Sequence, residues 1–78
     1  MKRFEVRKGT EIYTADGTVF RITDTDSDTG RAWAVEYGYN LESNEFNVEI
    51  GTVILTTSDI ARHLHAYDGD SYAVSIDD

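Results

Sequence analysis

The chain predicts a mainly β fold with one short helix: a strongly bent antiparallel sheet or small SH3-like barrel, with the helix near the C-terminus. Three observations carry that expectation. Proline is absent and threonine occurs nine times. Apolar and polar residues alternate with a period of two through most of the chain, the pattern of half-buried strands. One stretch alone, around Ile60, Leu64 and Tyr67, has helical spacing instead. Seventy-eight residues make one core, because a domain of this size buries only roughly 60% of the surface its unfolded chain exposes. The expectation is therefore one acidic β-rich domain over 1–78.

The first strand comes from Phe4 and Val6 alternating with Arg3, Glu5 and Arg7, and Lys8-Gly9 ends it. Glu11–Ala15 and Thr18–Thr23 flank Asp16-Gly17, and Asp-Gly between two such runs is the strongest short-range hairpin signal. The next turn lies in Ser27–Gly30. Folding there sets Asp26 opposite Arg31, Ile22 opposite Val35 and Phe20 opposite Tyr37. A further turn around Asn40–Ser43 sets Tyr37 against Phe46, Val35 against Val48 and Trp33 against Ile50, so three strands agree on one apolar side. Gly51 permits a bulge or bend before Val53-Ile54-Leu55. Ser58-Asp59 opens a helix of about ten residues whose stripe is Ile60, Leu64 and Tyr67. Asp68-Gly69-Asp70 stops it, and Tyr72, Val74 and Ile76 form a closing strand before an exposed Asp77-Asp78.

Seven cations face fifteen carboxylates, for a net charge of −8. The layout is uneven: Lys2, Arg3, Arg7 and Lys8 against Glu5 give +3 over residues 1–8, which leaves −11 on the other seventy. A field of that sign repels phosphates and attracts basic surfaces, so direct nucleic-acid binding is disfavoured and the expected partner is a basic protein surface, such as that of a nucleic-acid-binding protein. With no cysteine there is no disulfide, thiolate metal site or thiol nucleophile. That absence suits a reducing cytoplasm. No apolar run approaches the roughly 18 residues of a membrane span, and none follows the basic start as in a leader.

Catalytic and metal chemistry find little support. Asp24, Asp26 and Asp28 alternate as in a calcium loop, but Gly30 and Glu36 fall at positions 7 and 13, each one residue late for an EF-hand. These three are at most a weak calcium candidate, and the simpler reading is an acidic hairpin tip. His63 and His65, two apart on a helix, point to opposite sides and cannot chelate together. The serines have no nucleophile-elbow context and no glycine loop cradles phosphate, so a non-enzymatic protein without a cofactor is expected. Trp33, Tyr37 and Tyr39 could serve as a base-stacking platform, yet core packing accounts better for Trp33 and Tyr37. The opposite side of that strand, Ala32, Ala34, Glu36 and Gly38, reads as a flat outward surface. Its register puts Ala34 beside Glu49 and Glu36 beside Asn47, with Glu36, Glu45 and Glu49 as the edge.

The partner-binding carboxylates are therefore expected to be Asp24, Asp26, Asp28, Glu36, Glu42, Glu45 and Glu49. In size and charge the chain resembles the small phage-encoded inhibitors of restriction or CRISPR nucleases that imitate a nucleic-acid backbone. That resemblance implies blockade of a DNA- or RNA-binding effector. Duplex DNA carries about one charge per 1.7 Å of axis, whereas alternate strand residues place carboxylates about 6.7 Å apart, so several strands or the two protomers of a homodimer are needed to approach that density. The alternative is a generic interaction module whose acidity is adaptation to high salt, consistent with two Lys against five Arg and abundant Asp and Thr.

Overall fold

Six strands and one helix follow one another along the chain: β1 (Lys2–Val6), β2 (Glu11–Tyr13), β3 (Thr18–Asp26), β4 (Arg31–Asn40), β5 (Glu45–Thr56), α1 (Thr57–Asp68) and β6 (Tyr72–Ile76). They are seen in a computed structural model that describes all of residues 1–78. Strands β2 to β5 form an antiparallel sheet in the order β2-β3-β4-β5, while β1 and β6 pair in parallel as a separate two-stranded ribbon. The mainly β class and the C-terminal helix are as the sequence predicts. The parallel ribbon joins residues about seventy positions apart, Lys2 with Tyr72 through Val6 with Ile76, and no local signal encodes it.

Local chemistry sets the element ends. The Asp16-Gly17 hairpin is present, with Gly17 at φ 82 and the turn closed by Thr14 N–H donating to the Thr18 carbonyl at 2.9 Å. The helix starts at Thr57, capped by Thr56 rather than by the expected Ser58. Thr56 Oγ1 accepts from Asp59 N–H, and the Asp59 carboxylate accepts from Thr56 N–H, a reciprocal capping box that satisfies two otherwise orphaned donors. Gly69, at φ 81, ends the helix by donating its N–H to the His65 carbonyl, since a left-handed residue is needed there.

Two registers differ from expectation, and one of them inverts a face. Asp26 does pair with Arg31, followed by Thr25 with Ala32 and Asp24 with Trp33. The ladder then slips between Asp24 and Ile22. Thr23 is the extra residue of a bulge, so Ile22 faces Ala34 and Phe20 faces Glu36. A one-residue slip moves a whole side-chain set to the other side of the sheet. Ala32 and Ala34 are consequently buried, at 0% and 1% exposure, and Trp33, Val35 and Tyr37 lie on the opposite face, only half-buried. In the next hairpin Asn44, at φ 57, extends the connection to four residues. Asn40 pairs with Glu45 and Tyr39 with Phe46, and slips at Asn47 and Ile50 then bring Tyr37 opposite Glu49, Glu36 opposite Gly51, Val35 opposite Thr52, Ala34 opposite Val53 and Trp33 opposite Ile54. The bulge expected near Gly51 thus sits beside it.

The core lies on the alanine face. Val6, Ile12, Phe20, Ile22, Ala32, Ala34, Leu55, Ile60, Leu64 and Ile76 form one buried cluster, with α1 laid against β2, β5 and β6. The small alanines of β4 leave room for the large side chains of β3 and α1, the large-against-small alternation that fills a core without voids. Of the helix stripe, Ile60 and Leu64 are buried, while Tyr67 is 58% exposed and stacks on Tyr13. No helix is long and apolar enough to cross a membrane.

Candidate acidic binding surface

Six of the seven carboxylates singled out by sequence fall into two groups towards opposite ends of β4, and the seventh, Glu36, lies within the strand. Asp24, Asp26 and Asp28 belong to the β3–β4 turn, where the first two carboxylates have partners. Asp26 Oδ1 accepts from the backbone N–H groups of Asp28 (3.1 Å) and Thr29 (3.4 Å), the side-chain turn closure typical of Asp. Asp24 Oδ1 accepts from Thr25 N–H and lies 3.6 Å from the Lys8 ammonium. The chain's C-terminus docks on the same turn. Asp78 accepts from the Ser27 N–H and hydroxyl at 2.9 and 2.7 Å, and Thr25 Oγ1 donates to the Asp77 carbonyl at 2.8 Å. The Ser27 hydroxyl, aided by its N–H, holds the Asp78 carboxyl below the usual carboxylate range.

Three of the four cations in the basic N-terminal segment pair with the chain's own acids, and Arg3 pairs with none. Lys2 pairs with Asp70 at 2.6 Å, Arg7 with Glu5 at 2.9 Å and Asp77 at 3.5 Å, and Lys8 with Asp24. No group of three or more His, Asp or Glu side chains is arranged to hold an ion. The oxygens of Asp26 serve the turn and those of Asp24 serve Thr25 N–H and Lys8, while the Asp28 carboxylate has neither a hydrogen-bond nor an ion-pair partner.

The β4–β5 hairpin is different. From Ala32 to Ala61 there is no Lys or Arg, and Glu42, Glu45 and Glu49 are all exposed with no cation within ion-pair distance. Glu42 is in the connecting loop, whose backbone is fixed by Asn44 N–H to the Asn40 carbonyl (2.8 Å) and by Glu42 N–H to Asn40 Oδ1 (2.9 Å). Glu49 stands opposite Tyr37 and so shares its face. Glu36 does not belong with them. It lies on the core side of the sheet, half-buried, and accepts from the Thr18 hydroxyl at 2.8 Å, in a chain that continues to the buried Thr14. The flat outward surface of Ala32, Ala34, Glu36 and Gly38 is thus corrected: the two alanines are interior and Glu36 is engaged.

What does face solvent is aromatic and apolar, and sequence reasoning missed it. Trp33, Val35 and Tyr37 share the open side with Ile54, 57% exposed, and with Arg21, whose guanidinium lies 4.6 Å from the Tyr37 ring centroid. Glu11, at 2.9 Å, holds Arg21 in place and raises its already high pKa. Toward the hairpin tip, Tyr39 contacts Phe46, Phe46 contacts Tyr13, and Tyr13 stacks on Tyr67. Glu45 and Phe46 border a groove of about 380 Å³ with Glu11, Tyr13, Arg21 and Asn47. Exposed rings beside unpaired carboxylates suit guanidinium and ammonium groups, which gain from ion pairing and from the ring faces together. The histidines stay apart, His63 edge-on to Phe20 and His65 near the Asp70 carbonyl. Comparison of the chain with protein-family models, curated proteins and solved structures finds no match.

Proposed function

We propose that this is a non-enzymatic, acidic protein-binding domain that meets a basic protein surface through the β4–β5 hairpin. In its most specific form it imitates nucleic-acid charge and blocks a DNA- or RNA-binding effector of the restriction or CRISPR kind. It works in a reducing cytoplasm, where a chain without cysteine needs no oxidant. One observation carries the reading: Glu42, Glu45 and Glu49 are exposed and unpaired on a thirty-residue stretch without a cation, while in the β3–β4 turn Asp24 is engaged by Lys8 and Asp26 by backbone donors.

The proposed surface is therefore narrower than the seven-residue set. It consists of Glu42, Glu45 and Glu49 with Tyr37, Tyr39 and Phe46 as apolar neighbours, while Asp24, Asp26 and Glu36 play a structural part and Asp28 lies apart at the far turn. Mobility-shift assays of candidate restriction and CRISPR effectors with their DNA, at low salt, test the mimicry form. Release of DNA by the wild-type protein, and failure of the Glu42→Lys/Glu45→Lys/Glu49→Lys variant to release it, is the expected pattern. An unchanged shift across the effectors with protein in excess would remove mimicry. Melting that collapses without molar KCl would favour salt adaptation as the reason for the charge.

A further inference from the structure

Strand β5 is hydrogen-bonded to a neighbour on one side only, because the sheet ends there. Open edges in natural sheets are blunted by charge, proline, bulges or short length. The opposite edge, β2, has three residues. The first half of β5 carries Glu45 and Glu49 and the two slips at Asn47 and Ile50. The second half, Gly51–Thr56, has none of these devices: its pairing with β4 is regular from Gly51 to Thr56, and it contains no charged residue in a chain of net charge −8. Ile54 stands out beside Trp33 on the face away from the helix, where Thr23 and Thr52 help bound a shallow depression of about 440 Å³.

We propose that this edge pairs with the same edge of a second copy of the chain, antiparallel and with Val53 on the two-fold axis, joining two four-stranded sheets into one of eight. Charge sets where a second copy can meet the first. Two chains of this acidity repel each other over most of their surfaces, and Gly51–Leu55 is a stretch along which two copies meet with no carboxylate opposite another. Geometry fixes the register. Helix α1 begins at Thr57 and a bulge sits at Ile50, so pairing is confined between them. Residues opposite one another in an antiparallel pair share a face, so a symmetric pair needs a residue on the axis, and Val53 centres the available length. Gly51 then faces the partner's Leu55, and Thr52 faces the partner's Ile54. This edge pairing is a case of strand addition, and the inference does not rest on the proposed basic partner.

Sedimentation equilibrium tests it. From about 10 to 500 µM the mass of the wild-type chain rises from 8.8 kDa towards twice that value, as mass action requires. Raising salt from about 0.05 to 0.5 M strengthens the association by screening like charges, the opposite of its effect on a basic partner. Ile54→Lys weakens the dimer at least about tenfold, and its unchanged melting at low concentration shows that the monomer still folds. Amide exchange over 51–55 slows as concentration rises. A mass of 8.8 kDa at every concentration and salt overturns the proposal. So does a dimer that neither Ile54→Lys nor Thr52→Lys weakens, and so does an edge that takes up extended peptides of other sequence while the chain stays monomeric.

Discussion

Replacing Ala34 by Leu tests which side of β4 faces the core. Ala34 is 1% exposed, between Ile22 on β3 and Val53 on β5, in the cluster that also holds Ile60 and Leu64. Three added carbons have no room there. Overpacking of a filled core costs about 1–3 kcal/mol, and each kcal/mol lowers the melting temperature of a chain this size by about 4–8 °C. A fall of roughly 5–20 °C is expected from those two magnitudes, measured by circular dichroism in 0.2 M salt at low micromolar concentration. The companion Ile54→Thr, at a 57% exposed position, should change stability by less than about 0.5 kcal/mol. If the ladder ran from Asp26 to Phe20 without the Thr23 bulge, Ala34 would face water and the outcomes would reverse. An Ala34→Leu variant that melts with the wild type would refute the bulge and the face assignment built on it.

Three further outcomes follow from the geometry. Thr56→Ala removes half of the capping box and should cost about 1 kcal/mol in urea unfolding. The Asp59 carboxyl is held below its ordinary pKa, mainly by the Thr56 N–H, so its stabilising contribution is complete above the unfolded carboxylate pKa near 3.8 and disappears as pH falls through the lower folded value; the acid limb of the stability curve should flatten in Asp59→Asn, which has no carboxyl to titrate. Reversing Glu42, Glu45 and Glu49 to Lys takes the net charge from −8 to −2, two units per substitution, and should leave melting equal or higher because the three are exposed and unpaired; a large loss of stability would show a structural role instead. Calcium at millimolar concentration should leave the amide resonances of Asp24–Asp28 in place, since these side chains do not converge, and specific saturable shifts there would contradict the geometry.

Sequence reasoning reached the elements whose signals are local. Asp16-Gly17 marks its hairpin, Gly69 its helix end, and the spacing of Ile60 and Leu64 the face that α1 buries. It did not reach the two registers, because an inserted residue such as Thr23, or a left-handed Asn44, leaves the alternation of each strand intact while changing what it meets. β4 is also apolar on both sides, with Ala32 and Ala34 on one and Trp33, Val35 and Tyr37 on the other. Ring size favoured the wrong side; the need for small residues within the filled core cluster decided the matter. The same slip carried Glu36 inward to Thr18. Of the candidate site, Glu42, Glu45 and Glu49 were legible because a thirty-residue absence of cations is a property of sequence alone. The neutralisation of Asp24 by Lys8 was not, since it depends on a contact between segments sixteen residues apart.

The central claim is that the hairpin's uncompensated charge makes it a recognition surface. An amide and side-chain NMR titration with an oligoarginine peptide tests it most directly, run at low and moderate salt. Salt-sensitive shifts concentrated at Glu42, Glu45 and Glu49 and at the rings of Tyr37, Tyr39 and Phe46 are expected, with the β3–β4 turn little affected. Shifts centred on Asp24–Asp28, or spread evenly over every exposed carboxylate, would contradict it.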